Sequence, residues 1–143
     1  MYKVMMSTGT GLDEYDIGQL EKGCWIDVIA PTEEELDEIA QATHIYKEYL
    51  TAPLDKEEKS RTELDEDQLL VVIDIPFLRS NKDYDTMPLG IIITPEVIVT
   101  VCLESNAVTA DFNAHTFRNF CTYKKTRFLF QILYKSATLY LKY

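Results

Sequence analysis

The segment that most restricts what this chain can become is its last stretch. From Lys125 onward, Phe128, Leu129, Phe130, Ile132, Leu133, Tyr134, Leu139, Tyr140, Leu141 and Tyr143 fall on nearly every face of a helix. A helix that is apolar all round is a buried helix. The spacing therefore predicts a helix over 125–143 covered by the rest of the chain or by a partner. No capping glycine, proline or polar tail closes it, so further sequence or a second molecule is expected against Leu139–Tyr143.

The strands that such a helix would cover are legible upstream. Met1–Ser7 reads as an opening strand and Thr8–Leu12 as a turn. Cys24–Ala30 is rich in β-branched and aromatic residues and stops at Pro31. Gln68–Leu78 is almost continuously apolar, the signature of a strand covered on both faces. Pro88–Thr94 and Val97–Leu103 lie so close in the chain that an antiparallel hairpin is expected, with Pro95 in its turn. Ser60–Leu64 is a further candidate strand, and Ser80–Tyr84 reads as a loop.

Helical signals interrupt this series. Thr32-Glu-Glu-Glu35 is a capping box: the Thr32 hydroxyl can accept from the Glu35 amide while the Glu35 carboxylate reaches back. Three glutamates in a first turn also suit the helix dipole. Helices are expected over 32–43 and 46–52, with weak helical spacing over 106–121. The reading is α/β (α+β): a mixed parallel/antiparallel sheet flanked by helices in three layers, α/β/α, ending in the C-terminal helix.

Charge is distributed unevenly along the chain. The formal net charge is −10, yet residues 32–67 hold 13 acids and 4 bases, and residues 112–143 hold 6 bases and no acid. The acidic balance argues against a nucleic-acid partner, which would call for a basic stripe. Oppositely charged halves can pair within one copy, or between copies.

Few side chains point to covalent chemistry. His44 and His115 are the only histidines, and neither has a cysteine or histidine at zinc-ligand spacing. Cys24, Cys102 and Cys121 form no Cys-x-x-Cys, and the first two sit in strand-like runs as buried thiols of a reducing compartment. No Gly-x-Ser-x-Gly elbow or phosphate-binding glycine loop is present, so an enzyme is not expected. Met1–Ser7 lacks the charged start and apolar core of a signal peptide. The apolar runs fall short of the roughly 20 residues of a membrane span, so the chain as it stands is expected to be soluble and cytoplasmic. Two acidic runs remain, Asp55–Glu58 and Glu63–Asp67. Hard cations such as Mg²⁺ and Ca²⁺ take oxygen ligands, but on spacing alone these runs read as solvated charge.

Taken in order, several of these segments resemble the CorA-type magnesium transporter family. Trp25-Ile-Asp-Val28 followed by Pro31-Thr-Glu-Glu34 at a helix start resembles the opening of those proteins. Ser60-Arg-Thr-Glu63 before Leu69–Ile75, then Met87–Ile93 and Glu96–Val101, are similar to the family's strands. Arg127–Tyr134 is similar to the first long helix after them. The resemblance covers nearly the whole chain. It implies a cytoplasmic α/β domain over 1–122 and the start of a long helical region over 123–143, truncated before a stalk and two membrane helices that carry a Gly-Met-Asn signature. It implies a pentamer of identical copies, a location on the cytoplasmic side of the cell membrane, and Mg²⁺ bound between domains to hold the closed state. The membrane would be met only through the missing C-terminal part, and transport by this segment alone is not expected. The family's regulatory aspartate aligns near Ala52, which is not an acid; Asp55 is the nearest carboxylate, with Glu57 and Glu58 next. The resemblance thus points to Asp55 and Glu58 as candidate metal ligands. The other reading is a free-standing acidic interaction module that pairs through its apolar C-terminal helix.

Overall fold

The computed structural model describes residues 1–79 and 83–142. A seven-stranded sheet runs through the centre in the order β2-β1-β3-β7-β6-β5-β4. The strands are β1 (Tyr2–Ser7), β2 (Leu12–Tyr15), β3 (Cys24–Ile29), β4 (Arg61–Asp65), β5 (Gln68–Leu78), β6 (Tyr84–Ile93) and β7 (Val97–Cys102). Only β3 and β7 pair in parallel; the other neighbours are antiparallel. The parallel pair is possible because α1 (Glu33–Thr43), α2 (Lys47–Thr51) and the β4–β6 meander lie between the two strands in the chain.

Strand alternation sends side chains to two separate cores. On one face Ile26, Val28, Leu70, Val72, Val99 and Val101 meet Leu36 and Ile39 of α1 and Leu50 of α2. On the other, Trp25, Ile75, Leu89, Ile91 and Ile98 meet Val108 of α3 (Ala107–Ala110) and Phe128, Leu129, Ile132 and Leu139 of α4 (Lys125–Lys142). Both faces of β5 and β7 are thereby covered, as their unbroken apolar runs require. The result is the expected α/β/α arrangement around a mixed sheet.

The α1 capping box forms in full: the Glu35 amide donates to Thr32 Oγ1 at 3.1 Å, and the Thr32 amide donates to Glu35 Oε1 at 2.9 Å. His44 ends α1 in the left-handed conformation at φ 60°. The buried Gln68 side chain then fixes the link to α2. Its Nε2 donates to the His44 carbonyl at 2.9 Å, and its Oε1 accepts from the Tyr46 amide at 3.0 Å. Gly90 of β6 opens the space that Pro53 fills, since a Cβ at 90 would lie 2.1 Å from Pro53 Cγ.

Three expectations are corrected. Residues 12–15 are a strand, not the end of a turn; the short, mostly polar Leu-Asp-Glu-Tyr segment carries no alternation to announce it. The strand expected from Pro88 begins at Tyr84; residues 80–82 of the expected loop lie outside the described residues. The expected helix over 106–121 is only α3 and a 3₁₀ turn at Phe117–Asn119. Asn113 and Thr116 explain this, because their side chains bond nearby backbone groups that a helix would use: Asn113 Oδ1 accepts from the His115 amide, and Thr116 Oγ1 from the Asn113 amide.

Within one copy α4 is covered on one face only, and Phe130, Tyr134 and Leu141 are 63%, 73% and 89% exposed. Tyr143 lies outside the described residues. Among the described residues no helix is long and apolar enough to cross a membrane.

Candidate divalent-cation site

Asp55 and Glu58 sit in the short connection between α2 and β4. A 3₁₀ turn at Ala52–Leu54 follows α2 directly and hands the chain to Asp55. Pro53, seated against Gly90, anchors that turn on the sheet. Asp55 itself is exposed. Its Oδ1 accepts from the Glu57 amide at 2.9 Å and its carbonyl from the Glu58 amide at 3.0 Å, forming an Asx turn. Glu58 is half-buried, and its Oε1 is held by Arg61 Nε at 3.1 Å. Arg61 also reaches Glu63 Oε2 at 3.2 Å.

The chemistry of these two carboxylates differs. Asp55 is exposed and, among the described residues, forms no ion pair, so it can offer one ligand to Mg²⁺, which keeps most of its waters and takes one or two carboxylates. Glu58 is already neutralised by Arg61, and a metal would have to displace that pair. Among the described residues no group of three or more histidine, cysteine, aspartate or glutamate side chains is arranged to hold a metal ion.

The wider surroundings are strongly polarised. α1 opens with Glu33, Glu34 and Glu35, and Lys47 of α2 bridges Glu33 at 3.0 Å and Asp37 at 2.7 Å. The basic residues of 112–143 belong to α4 and the segment before it, on the opposite side of the sheet. The two charged helical layers therefore do not meet within one copy. Beside α4 a groove of about 850 Å³ is lined by Phe112, Phe120, Phe130 and Tyr134, with Arg127 and Lys135. Gln131, also in its wall, has a buried Oε1 without a hydrogen-bond partner.

One acid escaped the reading of the sequence. Asp27 lies in the middle of β3, directly opposite Thr100 of β7 and Lys3 of β1. Trp25 Nε1 donates to Thr100 Oγ1 at 2.9 Å, and the Thr100 hydroxyl donates to Asp27 Oδ1 at 3.0 Å. Burial raises the Asp27 carboxyl to about 6, against the hydrogen bond from Thr100 and the charge of Lys3, which lower it. The signal was present in the sequence as a lone acid inside an apolar strand, two residues after a tryptophan.

The comparisons with known proteins give the fold a family. The complete CorA magnesium transporter from Methanocaldococcus jannaschii superposes with a TM-score of 0.80 at 23% identity, covering 99% of this chain and 46% of that one. The soluble domain of the same protein gives 0.76 at 22% identity, covering 99% and 58%. The ZntB cytoplasmic domain from Vibrio parahaemolyticus gives 0.72 at 12% identity, covering 98% and 60%. These chains share the fold, and this chain spans about half the length of the first. No curated protein sequence matches. The model of the CorA-like Mg²⁺ transporter family matches residues 21–142, and the chain belongs to that family.

Proposed function

We propose that this chain is the regulatory and assembly domain of a divalent-cation transporter, and that Mg²⁺ bound between neighbouring copies stabilises the closed assembly. The family match over residues 21–142 is the observation that carries this reading. Two features support it. Asp55 stands exposed and, among the described residues, outside any ion pair, a half-site that a carboxylate from a second copy would complete. The outer face of α4 leaves Phe130 and Tyr134 in solvent, a surface suited to further helices or to a neighbour. The cation relieves carboxylate repulsion across the boundary and so favours one member of a conformational pair. The domain lies on the cytoplasmic side of the membrane in this reading and does not itself conduct or catalyse.

A titration with MgCl₂ tests this, following both sedimentation velocity and thermal unfolding. A cation bound between copies shifts the unfolding midpoint only as oligomers form. A large saturable shift in a chain that stays monomeric contradicts placement between copies.

The groove beside α4 supports a second reading, an interaction module that pairs with a protein partner through that helix. The gene sequence beyond Tyr143 separates the two. Two apolar stretches of about 20 residues support the transporter, and a stop codon there supports the module.

A further inference from the structure

Asp27 is the floor of a cavity of about 340 Å³ on the α4 side of the sheet. Its roof is the segment 109–115, the end of α3 and the link that follows it, which supplies Thr109, Phe112, Asn113 and His115. The other charged walls are Lys3 of β1 and Glu14 of β2. From β7, Thr100 donates to Asp27, and the Cys102 thiol lies within electrostatic reach of it. Trp25, which has only a donor to offer, occupies the Thr100 oxygen and turns the single Thr100 hydroxyl proton onto Asp27.

The roof is hydrogen-bonded mainly to itself. Asn113 Nδ2 donates to the Ala110 carbonyl at 2.8 Å, and Thr116 Oγ1 donates to the Asp111 carbonyl at 2.8 Å. Among the described residues, the hydrogen bonds of 109–116 stay within residues 106–119 and do not reach the sheet. The roof is held down by the buried Thr109, by the Phe112 ring against Phe120 and Phe128, and by Asp111 reaching Lys135 of α4 at 3.6 Å.

We propose that Asp27 and the segment 109–115 form a proton-operated latch, in which protonation of Asp27 seats the segment on the sheet and ionisation loosens it. With the roof down the half-buried carboxylate meets less water than with the roof open, so its charge is less favoured in the closed form. The closed form therefore binds the proton more tightly. Closure is favoured as pH falls and is lost as pH rises through the closed-state value of about 6. Above that both forms are ionised and pH has no further hold through this group. Because Asp111 ties the roof to Lys135, the latch would pass a proton signal to the α4 layer. The latch does not depend on the transport reading.

Hydrogen exchange on the 143-residue chain at pH 5, 6, 7 and 8, corrected for intrinsic rates, tests it. Protection of amides 109–116 should fall about fivefold between pH 5 and 6 and little between pH 7 and 8. Asp27→Asn should flatten the profile, and His115→Gln should leave it. A flat profile in the unaltered chain overturns the latch, as does a profile that His115→Gln abolishes while Asp27→Asn preserves it. If Asp27→Asn does not fold, a carbon-detected NMR titration of the Asp27 carboxyl in the unaltered chain decides. A midpoint near 6 supports the latch, and a midpoint close to the ordinary aspartate value, about 4, overturns it.

Discussion

The helical layers on the two sides of the sheet solve the same packing problem differently. α1 is amphipathic and closed at both ends, by a capping box at Thr32 and a left-handed His44. Its outer face is carboxylate, and its inner face is Leu36 and Ile39. α4 has no comparable division. It buries Phe128, Leu129, Ile132 and Leu139 yet leaves Phe130, Tyr134 and Leu141 in solvent. The first layer is a finished surface with water as its partner. The second buries its inner face as firmly and keeps an outer face that water does not satisfy. An acidic, solvated layer suits a cation or a basic partner, and an apolar, basic layer suits protein.

Substitutions can break that comparison, starting with the largest. Phe128 is fully buried, with its ring 5.0 Å from Trp25 and 5.3 Å from Phe120. Phe128→Ala should lower unfolding stability by about 3–5 kcal/mol in a urea melt. Leu36→Ala in α1 should cost about 2–5 kcal/mol. A negligible loss at Phe128 would mean that α4 is not docked as strongly as α1.

Gly90→Ala drives a methyl into Pro53 and should destabilise by about 1–3 kcal/mol. The same change tests the candidate cation site, because Pro53 seats the turn that leads to Asp55. Thr32→Ala removes the hydroxyl that caps α1 and should cost about 1 kcal/mol by chemical denaturation. The smallest effect is expected at Phe130. Phe130→Ser should change monomer stability by less than about 0.5 kcal/mol, while reducing self-association in sedimentation. A substantial loss of monomer stability there would show that the outer face of α4 is already covered.

Much of the fold was legible because its signals are local. Thr32 and Glu35 are three residues apart, and the capping box needs nothing else. The limits of β5 match its apolar run, and the β6–β7 hairpin follows from proximity and Pro95. β2 was not legible, since four mostly polar residues become a strand only by pairing with β1. The candidate site was legible only in part. Asp55 and Glu58 are visible as acids in a loop, but that Arg61 already holds Glu58 depends on how β4 sets out from the turn. Asp27 was missed because its character depends on Thr100, far away in the chain, standing beside it.

By itself the sequence determined most of the longer strands and helices, where α1 begins, and that one stretch near the end is apolar on nearly every face. Those follow from side-chain periodicity and from caps that act over three or four residues. Tertiary structure decided the rest: that β3 and β7 lie parallel, that the acidic and basic helices take opposite faces, and that α4 is covered on one side only. Contacts of that kind join residues distant in the chain. Their energies depend on which surfaces the sheet brings together, and the order of residues alone does not state that.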